Sequence, residues 1–203
     1  MKLYYMPGAC SLATHITLEW IGASYETQQV PRDELHQPAY LKVNPAGSVP
    51  ALQVDGVVLT QNDAVLNYLA DTHPEARLSG GDTPAGRAEV NRWLGMVNSD
   101  IHGAYRQIFR ADSFLSDKAA IAEAKDDARA TLKRFYAIVD QQLQGRDWIA
   151  GDRSIADPYL FAVTNWAAMV GPDLSEFGNL GRFMQHMQAD AGVQKAMHAE
   201  GLI

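Results

Sequence analysis

The sequence predicts a small α/β unit followed by an all-helical unit. Over the first seventy-odd residues, short strand-like runs alternate with helix-like segments in the order βαβ and then αββα, which is typical of a mixed sheet covered by helices. A segment with two prolines and two adjacent glycines follows between residues 73 and 84, a composition typical of a linker. Beyond it the apolar residues recur only at helical spacing. We therefore divide the chain into residues 1–78 and residues 84–203.

Short local signals define the elements of the first unit. Pro7 and Gly8 end the first strand, and Gly22 is placed to end the helix that follows. Asp55-Gly56 is a strong turn signal between two apolar runs and predicts a hairpin. The predicted strands are residues 2–5, 25–30, 51–54 and 57–59, and the predicted helices are residues 10–21, 38–43 and 62–72.

The second unit is predicted to be a helical bundle. Two long patterns, over residues 87–109 and 118–143, carry apolar stripes at a helical period. Ser154 and Asp157 form a capping-box pattern at the start of a third helix. We expect Ser154 to accept from the Asp157 N–H and Asp157 to accept from the Ser154 N–H, and we assign this pair a structural role. Two more helices are expected, one containing Phe183 and Met187 and one over residues 193–199.

Composition and charge exclude several functions. The chain of 203 residues has a formal net charge of -7 and no cluster of lysine or arginine, so we predict no nucleic-acid partner. No apolar run approaches the ~20 residues that cross a bilayer, and the first five residues are typical of a strand and not of a signal segment. We therefore predict no membrane partner and a cytoplasmic location. The single cysteine excludes an intramolecular disulfide and a multi-cysteine metal site, and we expect no metal.

Cys10 is the first candidate for chemistry. It follows a strand and a turn and opens a helix, where unpaired N–H groups and the helix dipole stabilise an anion. The pKa of a thiol in this position is expected to fall below its free value of about 8.5, and the Ser11 hydroxyl is a further donor for the sulfur. The alternative is a structural cysteine, since free cysteines are among the most buried residues. The strand–turn–helix junction favours the reactive thiol.

Two further segments suit a small ligand. Val49-Pro50 lies at the mouth of a strand after a glycine-containing loop, the setting of a cis X-Pro bond, and the Val49 backbone is free to pair with an extended ligand. Gln61, Asn62 and Asp63 open a helix, whose N-terminus binds carboxylates. From spacing alone, an ordinary trans proline and a simple helix cap remain the better explanations.

Six segments of the sequence together resemble a known family. They are KLYY and PGACSL (residues 2–5 and 7–12), NPxGxVP (residues 44–50), LT, AV and YLAD (residues 59–60, 64–65 and 68–71), WL and SDIH (residues 93–94 and 99–102), GD and SIADxYLF (residues 151–152 and 154–161), and EGLI (residues 200–203). In this order they resemble the glutathione transferase superfamily and, within it, the bacterial beta class. The resemblance covers essentially the whole chain, and its specificity comes from the ordered set.

The resemblance implies a fold, an assembly and a set of site residues. The fold would be a thioredoxin-like domain followed by a helical bundle, in a homodimer with glutathione as co-substrate. The catalytic residues that the resemblance implies are Cys10, His102, Ser11 and, in a weaker role, Tyr5. The glutathione-binding residues that it implies are Cys10, Val49, Pro50, Gln61, Asn62, Ser99, Asp100 and His102, with Asp100 expected to reach the site of the other subunit. For His102, packing on an apolar helix is the alternative.

The implied function is transfer of glutathione to small hydrophobic electrophiles, with reduction of mixed disulfides through Cys10 as a second activity. The acceptor site would be lined by Tyr105, Phe109, Trp166 and Met169. Where the family has an acidic residue this chain has Gln61, and an expected asparagine aligns with Gly95. These departures favour the alternative of a non-catalytic carrier or assembly module, whereas Cys10 and His102 favour an enzyme.

Overall fold

The first unit is a mixed four-stranded sheet with three helices. The structure, a computed structural model, describes residues 1–203. The strand order is β2-β1-β3-β4; β1 pairs parallel with β2 and antiparallel with β3, and β3 and β4 form a hairpin. The strands are Lys2–Tyr5 (β1), Glu26–Gln29 (β2), Ala51–Val54 (β3) and Val57–Thr60 (β4), and the helices are Ser11–Trp20 (α1), Pro38–Leu41 (α2) and Asn62–Thr72 (α3). The predicted order of elements is confirmed.

The hairpin and the faces of the sheet follow from the local sequence. Asp55 and Gly56 both have positive φ, at 47° and 82°, as a two-residue type I′ turn requires. Side chains alternate along β1, so Leu3 and Tyr5 join an apolar cluster with α1 and α3, whereas Tyr4 packs with Tyr40 of α2 on the opposite face. The sheet is therefore covered on both faces.

The second half of the chain contains only helices. They are Pro84–Gly95 (α4), His102–Phe114 (α5), Lys118–Gln142 (α6), Ala156–Thr164 (α7), Ala167–Val170 (α8), Gly178–Ala189 (α9) and Ala191–Ala199 (α10). None of them combines the length and the apolar character that crossing a membrane requires.

The first long helix differs from its prediction in length and in regularity. It begins at Pro84, where the Thr83 hydroxyl accepts the Gly86 N–H at 3.1 Å, and it runs to Phe114 instead of ending at residue 109. Between α4 and α5 the stretch Met96–Ile101 is a π-helix. Such bulges are rare and often occur at functional sites, and the apolar spacing alone does not reveal this one. The short helix α8 was also not predicted.

One apolar core joins the two halves of the molecule. Leu12 and Ile16 of α1 and Leu66 of α3 belong to the same buried cluster as the helices from α4 to α10. Leu78, the last residue of the first predicted domain, is also buried in this cluster, and its carbonyl accepts the Ile155 N–H at 3.0 Å. The segment before α4 is therefore fixed against the helical half. The domain boundaries at 78 and 84 stay a prediction.

The capping box at the start of α7 forms in a modified way. The Ser154 N–H donates to Asp157 Oδ2 at 2.8 Å, as predicted. The Ser154 hydroxyl, however, accepts from the Ala156 N–H at 3.3 Å and not from the Asp157 N–H, and it donates to Asp157 Oδ2. Asp157 also accepts the Ile149 N–H at 2.9 Å, so the buried carboxyl group ties the preceding loop to α7. Burial raises its pKa to about 7.

Candidate functional site

Cys10 lies at the start of α1, facing the loop that precedes β3. The residue is half-buried, and its thiol donates to the Val49 carbonyl over an Sγ–O distance of 3.3 Å. The N–H groups of Cys10 and Ser11 have no backbone acceptor, and both act on the sulfur in the direction of a lower pKa. The predicted junction of strand, turn and helix thus brings the thiol and free backbone donors together.

The pKa of Cys10 nevertheless moves in the direction opposite to the one expected. Burial of the sulfur outweighs the two N–H groups, and the negative charge of Glu200 adds to the effect of burial, so the pKa rises to about 12. In the ligand-free protein, Cys10 is therefore a neutral thiol at pH 7. The prediction that the pKa of Cys10 falls below its free value is therefore wrong for this state of the protein.

Ser11 and Tyr5 lie close in sequence to Cys10, but both are engaged elsewhere. The buried Ser11 hydroxyl accepts from the Met6 N–H at 3.2 Å and donates to the Met6 carbonyl at 3.3 Å. It closes the turn before α1 and makes no hydrogen bond with the sulfur. The Tyr5 ring packs against His15, with a centroid distance of 5.6 Å. Burial and the charge of Glu200 raise the pKa of the Tyr5 phenol, which therefore stays protonated.

The loop before β3 presents an unused backbone donor next to the thiol. The Val49–Pro50 peptide bond is cis, although the spacing alone favoured an ordinary trans proline. Val49 is largely buried, its carbonyl accepts the Cys10 thiol, and its N–H donates to no atom of the chain. A backbone N–H that is buried without a partner is uncommon. This one therefore suits an extended ligand that runs along the loop.

The start of α3 offers backbone donors, while its first side chain points into the protein. Asn62 Nδ2 donates to the Cys10 carbonyl at 2.7 Å, and Asn62 Oδ1 accepts from the Thr14 hydroxyl at 3.0 Å. This buried side chain joins α3 to the Cys10 turn through its carbonyl oxygen and one of the two N–H donors of its amide group. Gln61 is exposed and has φ = 70°, a conformation that non-glycine residues adopt rarely and often at functional sites. The N–H groups of the first turn have no acceptor within the helix.

His102 belongs to a hydrogen-bonded cluster that the sequence did not reveal. Its Nδ1 lies 2.8 Å from the Tyr159 hydroxyl, which donates to Asn98 Oδ1 at 2.9 Å. Because the single hydroxyl proton is used towards Asn98, the neutral imidazole donates its Nδ1–H to Tyr159 and keeps Nε2 as a free acceptor. Burial, together with the positive charge of Arg106, lowers the pKa of His102 to about 4. The imidazole is therefore neutral at pH 7.

Tyr159 is the central member of this cluster. Burial is the main cause that raises the pKa of its phenol, and a negative charge at Cys10 or Asp63 would raise it further. The sequence contained Tyr159 in one of the motifs, four residues after the buried Ile155, but nothing in its spacing distinguished it from a core tyrosine. Asn98 was missed because it lies in the unpredicted π-helix.

The expected acceptor residues are brought together only in part. Trp166 packs edge-on against His102, with a centroid distance of 4.9 Å, and its Nε1–H donates to the Gly8 carbonyl at 2.8 Å. Phe109 lies 5.5 Å from Trp166 and is 42% exposed. Tyr105 is fully buried behind them, with its hydroxyl 3.2 Å from that of Tyr136. Met169, on α8, is 69% exposed and belongs to none of these aromatic contacts.

Ser99 and Asp100 lie on the exposed side of the π-helix. The Ser99 hydroxyl donates to the Gly95 carbonyl at 2.6 Å, so it is satisfied within its own helix. The carboxylate of Asp100 is exposed and takes part in no ion pair of the chain. Neither residue makes a side-chain hydrogen bond or an ion pair with the Cys10 loop within this chain.

Glu200, near the C-terminus, is a further residue beside the Cys10 loop. Its buried carboxylate accepts the Gly8 N–H at 2.9 Å and lies 3.0 Å from Nδ1 of His15 on α1. His15, which the sequence assigned to packing, is thus half of a buried hydrogen-bonded pair. The EGLI motif at residue 200 was the available signal, since a charged residue in an otherwise apolar end segment suggests a buried partner.

Comparisons with known proteins agree with this architecture. The family model described as "Glutathione S-transferase, N-terminal domain" matches residues 1–71, and the one described as "Glutathione S-transferase, C-terminal domain" matches residues 107–190. The chain belongs to the glutathione S-transferase family. The resemblance seen in the sequence and the predicted thioredoxin-like and helical domains are thereby confirmed.

The similarity of this glutathione S-transferase family member to its relatives covers the whole chain. "Glutathione S-transferase GST-4.5" of Xanthomonas campestris pv. campestris is 48% identical over 203 residues and covers 100% of both chains. The solved glutathione S-transferase of Xylella fastidiosa is 47% identical, covers 100% of this chain and 99% of its own, and has a TM-score of 0.96. Both relatives are, by name, transferases.

Two further solved structures bear on class and ligand. A "bacterial beta class" glutathione S-transferase of Sphingomonas chungbukensis is 36% identical, with a TM-score of 0.89. A sphingomonad glutathione S-transferase "complexed with glutathione" is also 36% identical, with a TM-score of 0.88. Each covers 100% of both chains. The likeness to a beta class protein agrees with the class that the motifs indicated.

Proposed function

We propose that the protein conjugates glutathione to small electrophiles, with the tripeptide extended between the Val49 loop and the start of α3. The observation that carries this proposal is the unused Val49 N–H, in the same residue whose carbonyl accepts the Cys10 thiol at 3.3 Å. An extended peptide supplies a matching backbone acceptor and donor. The glutathione-bound relative of the same fold supports the choice of tripeptide.

The γ-glutamyl end of glutathione would lie at the start of α3. Its carboxylate would accept from the free N–H groups of the first turn, beside the backbone of Gln61 and Asn62. Its α-amino group needs a negative charge, which Gln61 does not supply. Asp63, in the same turn, and Asp100, from the other subunit of a proposed homodimer, are the two candidates. Pro50 and Ser99 would contribute contacts at the edges of this site.

His102 is the proposed acceptor for the glutathione thiol. The thiol would donate its proton towards the free Nε2, and the resulting thiolate would attack an electrophilic carbon of the second substrate. A C–S bond forms, a leaving group such as chloride departs with its electron pair, and the proton passes from His102 to water, because an imidazole with a pKa of about 4 does not keep it at pH 7. A neutral imidazole is needed for this role, and the pKa of His102, lowered to about 4, keeps it neutral at pH 7.

Cys10 would act mainly as a neutral donor in this mechanism. Its raised pKa favours the protonated thiol, which positions the Val49 loop or donates to the glutathione sulfur. Reduction of mixed disulfides needs the thiolate, so we propose it as a slower second activity, one that gains from high pH. The acceptor would lie against Phe109 and Trp166. The cytoplasmic location stays a prediction from the sequence.

A steady-state assay tests this function. We expect the wild-type protein to displace chloride from methyl 4-chloro-3-nitrobenzoate with glutathione, and we expect His102→Phe to lower kcat at least about tenfold. His186→Phe is the matched control, because His186 packs on Trp148, outside the cluster around His102, and should leave kcat unchanged. Glutathione binding without turnover would instead identify a carrier, and the absence of both would contradict the proposed function.

A further inference from the structure

A groove on α5 is bordered by two arginines. It has a volume of about 470 Å³ and is lined by Gly103, Arg106, Gln107, Arg110, Ser113 and Phe114. A side-chain carbon at Gly103 would meet no atom within 4 Å, so the groove is open at this glycine. Arg106 and Arg110 are both exposed and are separated by one helical turn, so their guanidinium groups reach the same opening.

Neither arginine has an acidic partner within the chain. The ion pairs of the protein use Arg87, Arg92 and Arg129, but neither Arg106 nor Arg110. Like charges at i and i+4 destabilise a helix by about 0.2–0.5 kcal/mol, and here no carboxylate compensates. In a chain of net charge -7, two adjacent free guanidinium groups make a local site for an anion. Arginine suits a carboxylate in particular, because its planar fork donates two parallel hydrogen bonds.

The groove adjoins the proposed reaction centre. Arg106 follows His102 by one helical turn, about 6 Å along the axis, and Arg110 by two turns, about 12 Å. The charge of Arg106 reaches His102, whose pKa it helps to lower. Phe109, between the two arginines in sequence, packs against Trp166, and Trp166 packs against His102. The two arginines and Phe109 therefore all follow His102 on the same helix, within about 12 Å along its axis.

We propose that the groove receives an anionic group of the electrophile, so that the preferred acceptors are aromatic carboxylates or similar anions and not neutral apolar compounds. The ring would lie against Phe109 and Trp166, and the carboxylate would bind Arg106 and Arg110. This proposal rests on the proposed function and adds a substrate class to it. It also modifies the expectation of a purely hydrophobic acceptor.

A matched pair of substrates tests the proposal. The probes are 4-chloro-3-nitrobenzoate and its methyl ester, which share the ring and the leaving group and differ in the negative charge. In the doubly substituted variant R106Q/R110Q, we expect kcat/KM for the acid to fall at least about tenfold, and kcat/KM for the ester to change less than about twofold. Arg134 provides the control, because it is an exposed arginine of α6 without an ion pair. Arg134→Gln removes one positive charge outside the groove and should leave both values of kcat/KM unchanged. An equal fall for both substrates, or no fall for the acid, would overturn the proposal.

A binding measurement separates this inference from the proposed function. Calorimetric titration with 3-nitrobenzoate, which lacks a leaving group, should show binding to the wild-type protein that weakens about tenfold in R106Q/R110Q and at high salt. If the wild-type protein turns over neither substrate but shows this difference, the proposed function fails and the anion site stands. If it turns over the ester while 3-nitrobenzoate binds both proteins equally or not at all, the function stands and the anion site is refuted.

Discussion

Replacement of Glu200 by glutamine tests how the C-terminal segment supports the Cys10 loop. The carboxylate accepts from Gly8 and pairs with His15, and all of these groups except the Gly8 loop are deeply buried. Hydrogen bonds to a charged group contribute about 1.5–3 kcal/mol each. Glutamine keeps one acceptor oxygen, but its NH₂ group would face either the Gly8 N–H or the ring nitrogen of His15. We therefore expect Glu200→Gln to lower the free energy of unfolding by about 3 kcal/mol.

Urea unfolding at a fixed protein concentration measures this loss. A fall of about 3 kcal/mol corresponds to a midpoint lower by about 1 M or more. Glu176→Gln is the matched control, because Glu176 pairs with Lys133 on the surface, with both side chains largely exposed, and should cost less than about 1 kcal/mol. Glu200→Gln should also lower the pKa of Cys10, since the charge of Glu200 helps to raise it, and thiol alkylation against pH reports this. A loss of stability in Glu200→Gln no larger than that of the control would show that the Glu200 carboxylate does not support the Cys10 loop.

Three further predictions concern the glutathione site, the His102 cluster and the capping box. Gln61→Glu should bind glutathione about fivefold more tightly in calorimetry, because a charge-assisted bond to the α-amino group adds about 1 kcal/mol; unchanged affinity would place the amino group elsewhere. Tyr159→Phe should lower kcat about tenfold while the KM for glutathione stays constant, because His102 loses the hydroxyl that fixes its tautomer; a change in KM alone would contradict this role. Burial raises the pKa of Asp157 to about 7, so the folded protein holds a proton that the unfolded chain has lost above about pH 4. This contribution to stability is complete below pH 4 and disappears as the pH rises through 7, so in urea unfolding the advantage of the wild-type protein over Asp157→Asn should shrink over that range and not grow.

The fold could be predicted because its signals are local. The Asp55-Gly56 turn, the strand ending at Pro7 and the helical periodicity after residue 84 each specify one element, and their order specifies the sheet. The helix over residues 62–72 was predicted with the bounds that the structure shows. The π-helix escaped prediction because one extra residue in a turn leaves the apolar spacing nearly unchanged.

The candidate site was less predictable because it depends on contacts between distant segments. The predicted position of Cys10 at the start of a helix was correct, but the predicted direction of its pKa shift was not. That direction depends on burial and on Glu200, 190 residues away in sequence, and neither can be inferred from the position of Cys10 at the start of a helix. Asn62 was assigned to a ligand, whereas its side chain holds the Cys10 carbonyl. Tyr159 joins His102 to Asn98 across 57 and 61 positions in sequence. Such pairings come from the packing of α7 against the π-helix.

Calorimetric titration of the wild-type protein with reduced glutathione at pH 7 measures whether the Val49 loop and the start of α3 form a working site. We expect saturable binding with a Kd of about 1 mM or tighter, a free energy of about -4 kcal/mol or better, from the free Val49 N–H and the donors at the start of α3. A protein that shows no binding heat up to about 10 mM glutathione would contradict this account of the Val49 loop.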